Sequence, residues 1–185
     1  MLVIKIKFII LFLISISTYS IADTKQIKDI NILFDSLKKI ENIYDARLVE
    51  RKILSIWHKH PSNKDLTDKL KLGIEIMSYG DYSFALKIFN NIIKQDPLWA
   101  EVWNKRATLL YITNEYNRSL KDIDIVLEIE PRHFGALSGR VQIFFKQKRY
   151  LEALEDLEKI KKIFPSMIDN EFINELNKLA NGLNI

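Results

Sequence analysis

The chain of 185 residues has no cysteine, three histidines, five glycines and four prolines. Without cysteine there can be no disulfide, thiolate metal site, cysteine nucleophile or lipid-modified N-terminal cysteine. The compartment stays open, because a helical protein with an adequate core needs no disulfide even where oxidation is possible. So few glycines and prolines favour long ordered elements over a turn-rich β-sandwich. His58 and His60 are two residues apart, so on a helix they face different sides and lack the i, i+4 spacing that grips a metal. His133 follows a proline and reads as a surface-loop residue. No G-x-S-x-G, phosphate loop or dinucleotide fingerprint is present. Every acidic residue has a ready place on a solvated helix face. The sequence therefore points to no catalytic residues, no metal, no cofactor and no small-molecule substrate. Charge of one sign is also scarce. There are 28 basic and 24 acidic residues, and setting aside Lys5 and Lys7 leaves 26 against 24. That excess, with no basic block or aromatic-basic cluster, argues against nucleic acid.

What is there suits one folded domain, with 48% apolar and 28% charged residues. The start, "MLVIKIKFIILFLISISTYSIADT", has the three parts of a secretory signal peptide. Lys5 and Lys7 come first, then the apolar run Phe8 to Ile16, then Ser20 and Ala22 before a cleavage point at Asp23. The apolar run falls well short of the ~20 residues that span a bilayer. Residues 1–22 are thus expected to be removed and the rest exported to the periplasm. The alternative is an uncleaved anchor in the inner membrane, facing the periplasm, with that segment as the sole membrane contact.

Pro97, Pro131 and Pro165 recur at a fixed interval of 34 residues, the period of a helix-turn-helix unit. Four further columns agree in all three copies: Tyr82, Tyr116 and Tyr150; small Ala85, Ser119 and Ala153; large Phe89, Ile123 and Leu157; and Ile92, Val126 and Ile160. The last three columns, at steps of four and three, lie on one helix face. Each proline ends its unit. A second apolar-periodic stretch precedes each tyrosine, so each unit is a helical hairpin.

These units resemble tetratricopeptide repeats. The resemblance rests on Gly73, Gly80, Tyr82, Ala85, Phe89 and Pro97; on Trp103, Ala107, Tyr116, Ser119, Ile123 and Pro131; and on Leu137, Phe144, Tyr150, Ala153, Leu157 and Pro165. The whole chain is also similar to short exported tetratricopeptide proteins of alphaproteobacteria. Two departures fall in the third unit: Val141 stands where a small residue is usual, and Lys148 where Gly or Asn favours the turn. That unit is expected to be looser or shifted. The fold class expected is all-α, a helical-hairpin solenoid. Residues 23–62 would form an N-terminal hairpin packed on the first unit. Three units would span 63–167 (about 64–97, 98–131 and 132–165). Residues 168–185 would form a capping helix with Phe172, Ile173, Leu176 and Leu179 on its inner side.

The resemblance implies a concave groove lined by the first helix of each unit, and a protein or peptide partner. Carried over by position, the lining is Leu70, Ile74 and Met77; Asn104, Thr108 and Tyr111; and Ser138, Gln142 and Phe145. Packing of Leu70, Ile74 and Met77 against the N-terminal hairpin is an equal alternative. The family's clamp for a C-terminal carboxylate has Lys and Asn where this chain has Leu70 and Ile74, so that use is disfavoured. Arg106 and Arg140, 34 apart, are either an anion contact or, preferably, internal partners of Asp122, Asp124 or Asp156. The function expected is an exported, non-enzymatic adaptor or scaffold, with a self-associating subunit of an envelope assembly as the alternative.

Overall fold

A computed structural model describes residues 24–182; the cleavage site and the apolar run lie outside them. Residues 24–37 form α1, followed by α2 (Ile43–Trp57), α3 (Lys64–Ser78), α4 (Tyr82–Gln95), α5 (Ala100–Ile112), α6 (Tyr116–Ile129), α7 (Phe134–Lys146), α8 (Tyr150–Ile163) and α9 (Asn170–Ala180). The third proline opens a short 3-10 turn, Pro165–Met167, between α8 and α9. Helices α3/α4, α5/α6 and α7/α8 are antiparallel hairpins, and each packs on the next.

Five helix starts are fixed by side chains that accept orphan backbone N–H groups. Asn42, Asn63, Asp81, His133 and Asp169 do this for α2, α3, α4, α7 and α9. The three turns inside the units share one geometry. Gly80, Asn114 and Lys148 all have positive φ, at 85°, 61° and 59°. The residue after each donates its N–H back to Ile76, Leu110 or Phe144, closing the helix with a six-to-one bond. Lys148 thus takes the left-handed conformation that Gly80 takes without strain, and the third turn is neither lost nor shifted.

Val141 is accommodated by a change in its partner. Gly73, Ala107 and Val141 occupy one column of the repeat, and Phe89, Ile123 and Leu157 occupy the column opposite. At Gly73 a Cβ would sit 2.6 Å from the Phe89 ring, closer than packed carbons approach. Ala107 shares its core with the smaller Ile123, and Val141 shares its core with Leu157. Only the glycine faces an aromatic ring; where the first residue carries a side chain, the second is aliphatic.

The N-terminal hairpin buries its apolar face on the third unit and touches the first only at its end, through Trp57 and His60. Ile30, Phe34 and Leu37 of α1 and Ala46, Ile53 and Trp57 of α2 join one core with Phe134, Leu137, Ile160, Ile163 and Phe164 of the third unit. The core of the first unit, from Leu66 and Leu70 to Phe89 and Trp99, contains no hairpin residue. Aromatic rings explain the choice. Phe34 meets Phe134 edge-on at 6.4 Å, and Trp57 lies against Phe134 at 5.1 Å. Arg132 covers Phe34 at 4.4 Å while bonding Asn31 at 2.8 Å. In α9, Ile173 and Leu176 are buried, but Phe172 faces solvent, a correction to the inner side expected of it.

Candidate functional site

The solenoid has two edges, separated by the ~20 Å length of a 13-residue helix. Inter-unit loops 96–99, 130–133 and 164–167 form one edge, and the turns at residues 80, 114 and 148 form the other. The loop edge is occupied by the hairpin, and its centre is Glu101, buried to 1% exposure at the start of α5. Glu101 Oε2 lies 3.0 Å from His133 Nε2, and Oε1 lies 2.8 Å from Lys105 Nζ and 3.1 Å from His58 Nε2. His133 Nδ1 accepts the Ala136 N–H, so its proton sits on Nε2 and points at Glu101. Trp57 stacks on the His133 ring at 4.0 Å, nearly parallel. Burial alone would raise the Glu101 pKa. The hydrogen bond from His133, the close approach of His58 and the charge of Lys105 outweigh it and hold the carboxyl well below its usual range.

Burial of these polar side chains corrects two expectations. His133 is fully buried, and Glu101, Asp122 and Asp156 are buried too. His60 is also buried; its Nε2 meets Asp96 at 2.7 Å, and its Nδ1 accepts the N–H of Ser62 and Asn63. The sequence signal was available: acid and histidine both fall beside the repeat prolines, where loops converge. Among the described residues no group of three or more His, Cys, Asp or Glu side chains is arranged to hold a metal ion.

Arg106 and Arg140, expected either as an anion contact or, preferably, as internal partners of nearby aspartates, are engaged inside the fold as staples. Arg106 grips Asp122 in a bidentate pair at 2.7 and 2.8 Å, and its third arm reaches Asn90 at 2.7 Å. Arg140 repeats this with Asp156 at 2.6 and 2.9 Å and Asp124 at 2.8 Å. Each guanidinium thus joins the second helix of its own unit to that of the preceding one. Burial disfavours the Arg140 charge, yet the bonds and charges of Asp156 and Asp124 keep its pKa above the usual value.

Away from the loop edge, α5 and α7 lie side by side with Asn104, Thr108 and Tyr111 on one and Ser138, Gln142 and Phe145 on the other. Steps of four and three place each set on one face. Asn104, Tyr111 and Ser138 are half-buried, while Thr108, Gln142 and Phe145 are exposed. The Thr108 and Ser138 hydroxyls donate to the carbonyls of Asn104 and Phe134 at 2.9 and 2.8 Å, which leaves their oxygens able to accept. Asn104 has only a long 3.5 Å approach to Glu101. At the turn edge, Tyr111 leans on Tyr116 and Phe145 on Tyr150, at ring distances of 5.7 and 5.8 Å. Lys146 Nζ stands 5.7 Å from the Tyr111 ring centroid. The first unit contributes less. Leu70 is 0% exposed, and Ile74 and Met77 pack against the Leu66–Phe89 core, so these three serve their own unit rather than the hairpin.

No family model matches the chain. Among curated proteins it is 39% identical to a TPR repeat-containing protein of Rhizobium etli over 99 residues, covering 54% of this chain and 48% of that protein. It is 29% identical to DnaJ homolog subfamily C member 3 of Rattus norvegicus over 104 residues, covering 56% and 21%. The chain thus spans about half the length of the first relative and about a fifth of the second. Among solved structures, a tetratricopeptide repeat protein from Parabacteroides merdae covers 87% of this chain and 61% of its own, with TM-score 0.58 and 18% identity. The first TPR of Spaghetti (RPAP3), bound to the HSP90 peptide SRMEEVD, covers 63% and 91%, with TM-score 0.56 and 20% identity. The fold is a tetratricopeptide-repeat solenoid. Its three tetratricopeptide hairpins carry an N-terminal hairpin on the loop edge and α9 at the C-terminal end.

Proposed function

We propose that this tetratricopeptide chain is an exported, non-enzymatic adaptor that binds an extended segment of a partner protein along α5 and α7. The observation that carries the reading is the contrast between the two edges. At the loop edge the buried His60, Asp96, His133 and Glu101 are paired with one another. Along α5 and α7 the Gln142 amide has no partner among the described residues, and Asn104, Thr108 and Ser138 keep bonding capacity beside the Tyr111 and Phe145 rings. Amides that bond a peptide backbone, next to aromatics that take its side chains, suit an extended ligand. That the structural neighbour of the preceding section holds an HSP90 peptide supports a peptide-type partner. With Leu70 and Ile74 at the clamp positions, the ligand is recognised within a chain rather than by a terminal carboxylate.

The test is crosslinking in the envelope fraction with the full protein and an Asn104→Ala/Tyr111→Ala/Phe145→Ala variant of unchanged helicity. A partner captured by the first and lost by the second supports the reading. Equal capture by both places binding elsewhere and sinks it. Export is checked by N-terminal sequencing of the mature protein, with Asp23 as the expected first residue. A second reading, self-association, draws on exposed apolar side chains of the first unit, Leu72, Tyr79 and Phe84. Size that rises with protein concentration would favour it.

A further inference from the structure

The loop edge also holds a cavity of about 480 Å³ that the groove reading leaves unused. Its back wall is Trp57 and Trp99, fixed to each other by the Trp99 Nε1–H bond to the Trp57 carbonyl at 2.9 Å. Ile30 of α1 and residues 128–130 at the end of α6 also line it. Around the mouth stand Ile27, Leu98 and Ile129, which are 57%, 66% and 37% exposed. An apolar chamber of this size lies in the range of ligand-binding clefts.

Its charge is one-sided. Asp96, Glu101, Glu128 and Glu130 line it, with no lysine or arginine among the lining residues. Three of these carboxylates are engaged: Asp96 with His60, Glu101 with His133 and Lys105, Glu130 with Arg132. Glu128 is exposed and has no partner among the described residues. Glu128, the one carboxylate left unpaired, favours a cation over an anion there, so the complement is an apolar group that carries a cation beside it. The apolar surface continues beyond the chamber onto the rim, which fits a chain segment rather than a compact molecule.

We propose that this cavity is a second binding site, separate from the groove, for a basic-hydrophobic peptide segment. A large apolar side chain enters between Trp57, Trp99 and Ile30. The lysine or arginine next to it meets Glu128, and neighbouring apolar groups cover Leu98 and Ile129.

The probes are the peptide acetyl-Gly-Leu-Lys-Leu-Gly-amide and its counterpart with Glu in place of Lys. They are titrated into the full protein and read by calorimetry and by tryptophan fluorescence. The lysine peptide should bind saturably, and the glutamate peptide about tenfold more weakly or not at all. Glu128→Lys should weaken the lysine peptide about threefold or more. Leu98→Ser with Ile129→Ser should weaken it about tenfold. All three positions are at the surface, so the fold should be unchanged by circular dichroism. The groove triple-alanine variant should bind as the parent does. Equal affinity for both peptides, no saturable binding at millimolar concentration, indifference to the rim variants, or loss in the groove variant would each overturn the site.

Discussion

The first and third units hold their two helices together at the same places with different residues. In the first, Gly73 lies against Phe89, and the adjoining positions are Leu72 and Ile88. In the third, Val141 is matched with Leu157, and the adjoining pair is Arg140 with Asp156. The repeat keeps the fit of a pair, not the identity of its members. The ionic version appears only where a preceding unit offers a third partner: Asn90 for Arg106 and Asp124 for Arg140. The first unit has no such neighbour and uses Leu72. The third unit is also the one that carries the hairpin.

The sharpest break is to remove what the third unit carries. Phe34→Ala should cost about 3–5 kcal/mol, read as a fall in the urea midpoint. An unchanged midpoint would mean that the hairpin is not part of the cooperative core. Next comes Gly73→Val, which gives the first unit the third unit's residue without its partner and should cost roughly 1–3 kcal/mol through overpacking. Adding Phe89→Leu should recover most of that loss, while the same substitution alone should destabilise. If the pair is no better than the sum of the two, volume matching is wrong.

Asp156→Ala leaves Arg140 half-buried with only Asp124, and should lower stability by about 2–3 kcal/mol. Glu101→Gln should cost about 1–3 kcal/mol at neutral pH. Because the folded Glu101 carboxyl lies below its ordinary range, its stabilisation is full above that range and fades as the pH falls through it. Unfolding at pH 7 and pH 3 should therefore show a smaller acid loss for the variant than for the parent. The smallest expected effect is a gain: Lys148→Gly should add about 0.5–1 kcal/mol by relieving the left-handed turn that Gly80 adopts freely.

The columns ending at Pro97, Pro131 and Pro165 made the hairpins legible, because periodicity reports which face of a helix is buried. It does not report against what. The apolar faces of α1 and α2 were visible, but their partners, Phe134 and Phe164, lie about a hundred residues further on, and no local pattern names them. The partners of the staples were legible as candidates, and the separation of 16 shared by Arg106 with Asp122 and Arg140 with Asp156 assigns each arginine its own. His133 was misread because adjacency to a proline suggests a loop, and loops suggest exposure. Here the loop lies under Trp57. Of the groove positions, Leu70, Ile74 and Met77 differ from the rest because the first unit fills its own core with them.

Docking of the hairpin also sets the order in which the molecule can be completed. A solenoid gains contacts between neighbours, so each unit can form soon after it is synthesised. Phe34 and Asn31, among the earliest described residues made, have partners about a hundred positions later, in Phe134 and Arg132. Until the third unit has formed, Phe34 and Trp57 have each other, at 5.9 Å, but not the Phe134 ring that both pack on. Docking of the hairpin therefore needs the third unit in place, and its contacts carry the high loop-closure cost of a separation of about a hundred residues.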